Sequence, residues 1–198
     1  MKKILLLHGW TNKRPEGHWM RLSAAELRSR GNQVWYPQFP SPETPNPAEW
    51  QDLLRQESNM MDEIEHGEKI AVAHSLGTIN WLYGAMSDLF TKPFDRVLLV
   101  AIPDPSLTSE APGIEGEPFD FNDPQAASQI GKWSGSTIAA ASDDDRWQPN
   151  GLGFYQSLGL QTITLPGAGH FSLDDGWGRW QGLERWIESA NPQDLMLR

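Results

Sequence analysis

The chain has 198 residues, which fits one compact domain spanning residues 1–198. Sixteen basic and 26 acidic residues give a formal net charge of −10, which repels nucleic-acid phosphates and anionic lipid. The chain contains no cysteine, and this excludes a disulfide framework, a cysteine-ligated metal and a thiol nucleophile. Because of the negative net charge, we expect no nucleic-acid partner.

The N-terminus superficially resembles a signal peptide. Its apolar run, however, extends only from Ile4 to Leu7 before His8 and Gly9 interrupt it, whereas a signal peptide needs roughly 7–15 apolar residues. Elsewhere no run approaches the ~20 apolar residues of a membrane span. We interpret the segment as a buried first strand and expect a soluble, cytoplasmic protein without a membrane span.

Short apolar runs alternate with longer amphipathic stretches, a pattern typical of β/α units wound into a parallel sheet. The runs predict six strands, over Lys3–Leu7, Gln33–Tyr36, Lys69–Ala73, Arg96–Ile102, Ser136–Ala141 and Gln161–Leu165. Apolar residues at helical spacing predict helices over His18–Arg30, Asn46–Ile64, Leu76–Met86 and Arg179–Ala190. The expected fold is a three-layer α/β fold, with a mostly parallel six-stranded sheet covered by helices on both faces.

Two irregular stretches interrupt this pattern. Five prolines between Pro37 and Pro47 predict a stiff, extended loop on the surface. Residues 103–124 follow the end of the fourth strand, where a lid over an active site would be inserted, although an ordinary loop explains them equally well.

The strongest chemical signal is a strand that runs directly into Ala73-His74-Ser75-Leu76-Gly77 and then into a helix. This is the context of a nucleophile elbow, in which a serine lies on a sharp, strained turn above the sheet. Small residues on both sides of Ser75 let the strand and the helix approach closely. The backbone N–H of Leu76, at the helix N-terminus, would face a developing oxyanion.

A nucleophilic serine needs a base, and the chain has five histidines. His18 and His66 lie at helix ends, where capping or solvation explains them, and neither His8 nor His74 can readily reach back to the hydroxyl of Ser75. His170 follows the sixth strand in a glycine-rich loop that can carry an imidazole over the sheet edge. We therefore predict His170 as the base.

The residue that orients this base should be an acid between Ser75 and His170 in the chain. Asp143, Asp144 and Asp145 follow the fifth strand directly, and position in the loop favours Asp145. Asp104, after the fourth strand, is the competing acid. The carboxylates not used would be solvated or would cap the loop.

Ten tryptophans are an unusual number beside three tyrosines. Trp50, Trp180 and Trp186 lie on apolar helix faces and are predicted to be core. Trp10 and Trp147 fall in loops at the carboxyl end of the sheet, where ligands bind in open α/β folds. They could line an apolar acyl pocket, or simply pack their own loops.

Further motifs are His8-Gly9-Trp10, Glu16-Gly17-His18-Trp19 and Gly167-Ala168-Gly169-His170-Phe171. Together with several of the segments above, they resemble the motifs of the small α/β-hydrolases related to retinoblastoma-binding protein nine and bacterial YdeN. The resemblance extends over nearly the whole chain. It implies an α/β-hydrolase-like fold and a triad of Ser75, Asp145 and His170. It also implies that Trp10 donates the second N–H to the oxyanion.

The resemblance has limits. Where many hydrolases begin the elbow with glycine, this chain has Ala73, a change that small lipases also tolerate. The segment with which the human family member binds the retinoblastoma protein contains a cysteine, and this chain has none. The retinoblastoma protein is therefore not expected as a partner.

The resulting hypothesis is a serine hydrolase that cleaves small carboxylic esters without a cofactor. One alternative is a metal hydrolase that uses His8, His74, His170 and Asp145, although no typical ligand spacing supports it. A second alternative is a catalytically idle hydrolase scaffold that serves as a protein-interaction module.

Overall fold

A computed structural model describes residues 1–107 and 125–198. It contains six strands: β1 (Lys2–Leu7), β2 (Gln33–Trp35), β3 (Glu68–His74), β4 (Arg96–Val100), β5 (Thr137–Ser142) and β6 (Gln161–Leu165). Its α-helices are α1 (Trp19–Ser29), α2 (Pro47–Asp62), α3 (Leu76–Met86), α4 (Ala126–Trp133), α5 (Gly153–Ser157) and α6 (Gln181–Ser189). Short 3-10 helices cover Pro105–Leu107 and Pro192–Met196.

The six strands form one sheet in the order β2-β1-β3-β4-β5-β6. Each neighbouring pair of these strands is parallel, so the described sheet is parallel throughout rather than mostly parallel. All six carboxyl ends therefore lie at one edge. The loops after β1, β3, β5 and β6, which carry the predicted site residues, all leave from that edge.

Helices cover both faces of the sheet, as predicted. Alternate residues of each central strand point to opposite faces. Leu5 of β1 joins the core beneath α2, α3, α4 and α5, and Leu6 joins the core beneath α1 and α6. Trp50, Trp180 and Trp186 are buried in these cores, as predicted. Because both faces are covered, the central strands are continuously apolar.

Several predicted boundaries are wrong. β4 ends at Val100 rather than Ile102 because the chain turns at Ala101, which has a φ of 49°. β2 ends at Trp35, one residue early. Helices α4 and α5 have no counterpart in the prediction, since eight and five residues are too few for a convincing helical period. The predicted helix over Arg179–Ala190 begins two residues later than expected.

The proline-rich loop is not simply a surface loop, which corrects the prediction. Phe39 is fully buried, and Pro42 and Pro45 are buried as well. The Phe39 ring stacks on Trp50 with ring centroids 4.4 Å apart. The suggested lid, residues 103–124, lies mostly outside the described residues. Among the described helices, none combines the length and the apolar character needed to cross a bilayer.

Candidate active site

Ser75 lies at the turn between β3 and α3, where its backbone has φ 53° and ψ −126°. A non-glycine residue with this backbone conformation is strained, by about 1–3 kcal/mol. Its N–H donates to the carbonyl of Val100 (2.9 Å), and its own carbonyl accepts from the Thr78 N–H (2.8 Å). The surrounding backbone therefore fixes the turn that presents the Ser75 hydroxyl above the sheet edge.

Two glycines allow the β1 loop to contact this elbow. A Cβ on Gly77 would lie 2.5 Å from the carbonyl oxygen of Leu7 and 2.7 Å from that of His8. A Cβ on Gly9 would lie 2.7 Å from the Ser75 Cβ. Both positions exclude any side chain, because real Cβ atoms do not approach so closely. Sequence reasoning assigned a packing role to Gly77 but found none for Gly9.

The structure brings Ser75, His170 and Asp145 together. The Nε2 atom of His170 lies 2.8 Å from the Ser75 Oγ, and its Nδ1 atom lies 2.9 Å from Asp145 Oδ2 and 3.0 Å from Oδ1. The Asp145 side chain is fully buried, whereas that of His170 is 17% exposed. The Trp147 N–H also donates to Asp145 Oδ1 (2.9 Å), which fixes the carboxylate. This arrangement can relay a proton from the hydroxyl to the imidazole.

Asp104, the competing acid, does not contact His170. It accepts hydrogen bonds from the N–H (2.9 Å) and the hydroxyl (2.6 Å) of Ser106, and from the Asn150 amide (2.9 Å). These bonds direct its carboxylate into the turn after β4. Of the four candidate acids, Asp104, Asp143, Asp144 and Asp145, only Asp145 hydrogen-bonds to the imidazole.

The two backbone N–H groups predicted to bind an oxyanion lie beside the elbow. Leu76 begins α3, so its N–H has no partner within the helix. A Cβ on Gly9 would lie 3.2 Å from the Leu76 nitrogen, so the Gly9–Trp10 backbone is next to it. Within residues 1–107 and 125–198, neither the Leu76 nor the Trp10 N–H donates a hydrogen bond.

His8 orients the Gly9–Trp10 peptide. The Nδ1 atom of His8 lies 2.9 Å from the Gly9 carbonyl oxygen, and its Nε2 accepts from the Phe39 N–H at 2.8 Å. Because a trans peptide is planar, fixing the Gly9 carbonyl turns the Trp10 N–H in the opposite direction. Sequence reasoning considered His8 only as a base or a metal ligand and missed this role.

A comparison with known protein families identifies the chain. The profile of the serine hydrolase family matches residues 4–189. The chain belongs to the serine hydrolase family. A serine hydrolase is an enzyme that uses a serine nucleophile, so the match agrees with the serine elbow described above.

Solved structures show the same fold. The ydeN gene product from B. subtilis is 22% identical and has a TM-score of 0.76, with 96% of this chain and 98% of that chain covered. An esterase domain from Rhodothermus marinus is 17% identical, with a TM-score of 0.60 and coverage of 88% and 81%. Est1E from Butyrivibrio proteoclasticus is 14% identical, with a TM-score of 0.61 and coverage of 86% and 80%. Comparison with curated proteins finds no match.

Side chains hold the loop that carries His170. Four successive backbone N–H groups of this loop each donate to a side-chain oxygen. The bonds run from Gly167 to Asp143 Oδ1 (2.8 Å), from Ala168 to Ser142 Oγ (2.8 Å), from Gly169 to Asp144 Oδ1 (2.8 Å) and from His170 to Asp175 Oδ2 (2.9 Å). Asp143 and Asp144 were predicted to be solvated or to cap the loop, and the structure shows that both accept hydrogen bonds from the loop that carries His170.

Three carbonyl groups of the same loop accept from buried rings. The bonds run from Trp177 Nε1 to Ala168 (2.7 Å), from His74 Nε2 to His170 (2.9 Å) and from Trp19 Nε1 to Phe171 (2.9 Å). Phe171, which stacks on Trp177 with centroids 4.6 Å apart, is fully buried. The core therefore anchors the loop from below.

Burial keeps the other histidines near the site neutral. Burial lowers the pKa of His8 to about 4. Burial, and then the repulsion that a protonated His8 would exert, lower the pKa of His18 to about 4. Burial, and then repulsion from a protonated His170, hold the pKa of His74 well below its usual range. His18 caps α1 by accepting from the Met20 N–H, as predicted from its position. In the described parts of the chain, no three potential ligands converge as a metal site would require.

A cleft of about 670 Å³ opens above Ser75 and His170. The indoles of Trp10 and Trp147 both line it. The Trp10 Nε1 donates to the Glu43 carbonyl (3.0 Å), so this ring is fixed by the proline-rich loop. Charged side chains share the described lining: Lys13, Glu43, Asp144, Arg146, Asp174 and Asp175. The predicted apolar pocket is therefore a mixed cleft with two indole walls.

Proposed function

We propose that this protein is a serine esterase that cleaves small carboxylic esters through an acyl-enzyme intermediate. The observation that carries the proposal is the continuous set of short contacts from Ser75 Oγ through the His170 ring to the buried Asp145 carboxylate. The esterase domain and Est1E among the structures of similar fold support the same class of reaction.

In the proposed mechanism, His170 Nε2 takes the hydroxyl proton as Ser75 Oγ attacks the ester carbonyl. Asp145 holds the imidazole and stabilises its protonated form. The Leu76 and Trp10 N–H groups stabilise the oxyanion of the tetrahedral intermediate. The imidazolium then protonates the leaving alcohol, and an acyl group remains on Ser75. Water activated by His170 hydrolyses the acyl-enzyme and regenerates the serine, so the reaction needs no cofactor.

The cleft favours a small substrate. A long acyl chain needs a continuous apolar channel, whereas Lys13, Glu43, Arg146 and Asp174 interrupt the described lining. The indoles of Trp10 and Trp147 offer apolar contact for a short acyl group. We expect kcat/KM to fall as the acyl chain of a p-nitrophenyl ester is lengthened.

A fluorophosphonate probe tests the proposal because it modifies only an activated serine. We expect the wild-type protein to be labelled at Ser75, as located by mass spectrometry, and Ser75→Ala to remain unlabelled. His170→Ala should react far more slowly, since the hydroxyl then lacks its base. Folded wild-type protein that resists labelling would instead support the idle-scaffold alternative, and labelling of Ser75→Ala would point to another nucleophile.

A further inference from the structure

One carboxylate oxygen organises the turn that follows His170. Asp175 Oδ2 accepts from the His170 N–H (2.9 Å), from the Ser172 N–H (3.1 Å) and from the Ser172 hydroxyl (2.6 Å). Hydrogen bonds to an ionised acceptor are stronger than those between neutral groups. Desolvation raises the pKa of Asp175, but the hydrogen bonds from Ser172 and from the His170 N–H together outweigh it and lower this pKa, so the carboxylate stays charged at neutral pH.

The carboxylate occupies space that Gly169 leaves free. A Cβ on Gly169 would lie 2.4 Å from Asp175 Cγ, and Gly169 itself has a φ of 55°. Only a residue without a side chain lets the carboxylate approach the backbone at this point. The Asp175 carboxylate can therefore bind the turn only because Gly169, directly before His170, has no side chain.

Small displacements of the His170 backbone would matter. The imidazole must keep Nε2 at 2.8 Å from Ser75 Oγ and Nδ1 at 2.9 Å from Asp145 at the same time. A misplacement of about 1 Å in such an arrangement costs on the order of 100-fold in rate. Phe171 anchors the core side of the loop, and Asp175 binds the backbone on the solvent side.

We propose that Asp175 is a positioning residue for His170, which holds the backbone of residues 170–172 so that the imidazole lies between Ser75 and Asp145. The inference rests on the proposed function, in which His170 is the base. Asp175 acts through the His170 N–H rather than through the ring. Its loss should therefore slow the chemical step and leave substrate binding nearly unchanged.

The neighbouring Asp174 provides a matched control. Both side chains are exposed, both line the cleft, and both carry a carboxylate. Among the described residues, Asp174 has no hydrogen-bond or ion-pair partner. Substitution at either position removes the same charge from the same wall, but only substitution at Asp175 releases the turn.

The experiment measures kcat, KM and Tm with a short-chain p-nitrophenyl ester. We expect Asp175→Ala to lower kcat about 10- to 100-fold while KM stays within about twofold. Asp175→Asn keeps an oxygen acceptor and should restore kcat to within about threefold of wild type. Asp174→Ala shows how far the loss of one carboxylate from the cleft wall changes kcat and KM, and kcat of Asp175→Ala should fall well below that of Asp174→Ala. Because Asp175 is exposed, all variants should melt within a few degrees of one another.

Equal kcat values for Asp175→Ala and Asp174→Ala would overturn the proposal, and so would a folded Asp175→Asn as slow as Asp175→Ala. If Asp175→Ala does not fold, Asp175→Glu replaces it, because the longer side chain keeps the charge but displaces the acceptor oxygen. A reduced kcat of Asp175→Glu would support the proposal, and an undiminished kcat would overturn it. Wild-type protein without esterase activity or probe labelling would instead mean that the proposed function has failed, and the inference with it.

Discussion

The proposed nucleophile, Ser75, and the proposed base, His170, are held in different ways. Backbone packing fixes Ser75: its N–H and carbonyl bond to other backbone groups, and Gly9 and Gly77 let the β1 loop contact the elbow directly. The loop of His170 is instead held by side chains, with four N–H groups donating to Asp143, Ser142, Asp144 and Asp175 and three carbonyls accepting from rings.

This difference has a physical consequence. A site fixed by backbone contacts tolerates changes of nearby side chains but not an added Cβ. A loop held by side-chain acceptors depends on particular polar residues. Most of them are exposed carboxylates, which can be removed without leaving a cavity in the core. The elbow and the loop that carries His170 should therefore respond to different mutations.

The largest expected effect comes from substitutions of Ser75, which separate the loss of activity from the relief of backbone strain at the elbow. Ser75→Ala should lower kcat by more than about 1,000-fold and leave Tm nearly unchanged, because the backbone holds the turn without the hydroxyl. Ser75→Gly should be equally inactive yet more stable, by up to about 1–3 kcal/mol, since glycine adopts a φ of 53° without strain. Ester hydrolysis and thermal unfolding measure the two effects. Lower stability of Ser75→Gly would contradict the assigned strain.

The next effect concerns the acid. Asp145→Asn should lower kcat about 10²- to 10⁴-fold, because His170 loses both its orientation and the stabilisation of its charged form. Asp143→Asn and Asp144→Asn should each cost less than about tenfold, since asparagine keeps the oxygen that accepts from the loop. Asp104→Asn is the control for the competing acid. A severe loss in that variant beside a mild one in Asp145→Asn would refute the acid assignment.

A smaller effect tests the close approach of the β1 loop. Gly77→Ala should destabilise the protein by about 1–3 kcal/mol and lower kcat, because the added Cβ meets the carbonyls of Leu7 and His8. Gly131→Ala is the matched control: Gly131 lies inside α4 with nothing within 4 Å of an added Cβ. That substitution should instead stabilise the protein by up to about 1 kcal/mol. Denaturant unfolding of both variants would show whether the close contact at the elbow decides if a Gly→Ala substitution lowers or raises the free energy of unfolding.

The last prediction compares how the stability of the two regions depends on pH. Folding lowers the pKa of His8 from 6.5 to about 4, so the unfolded chain binds more protons between these values. The stability contributed by neutral His8 is complete above pH 6.5 and is lost as the pH falls toward 4, by about 1.4 kcal/mol per pH unit. The bond from the Gly169 N–H to Asp144 should persist to lower pH, because hydrogen bonds from Ser142 and from Gly169 lower the pKa of Asp144.

Hydrogen exchange at pH 7 and pH 5 can follow this difference by region, with faster exchange expected near His8 and Phe39 first. His8→Gln should reduce, but not abolish, the dependence of Tm on pH over this range, because burial also lowers the pKa values of His18 and His74. His66→Gln is the control, because its side chain is 91% exposed and should leave the dependence unchanged. An identical slope in both variants would mean that His8 does not contribute.

Much of the fold is predictable because it depends on local patterns. Each of the six strands appears near its predicted place, since strands buried on both faces produce continuous apolar runs. The serine elbow is visible in the same way, as a strand followed directly by small-x-Ser-x-Gly and a helix. Helices α4 and α5 were missed, because so short a helix is defined by what it packs against rather than by its own period.

The sequence by itself determined which residue types could perform the chemistry and the order in which they occur, because the elbow and the glycine-rich histidine loop are local features. Tertiary structure alone decided which acid contacts His170. Asp104 and Asp145 both follow a strand, and only the hydrogen bonds around each carboxylate show where it points. It also decided how the base is held. Most partners of the His170 loop come from segments distant in the chain, namely Ser142, Asp143, Asp144, His74 and Trp19. Their contacts form only when β3, β5 and β6 end at one edge of the sheet.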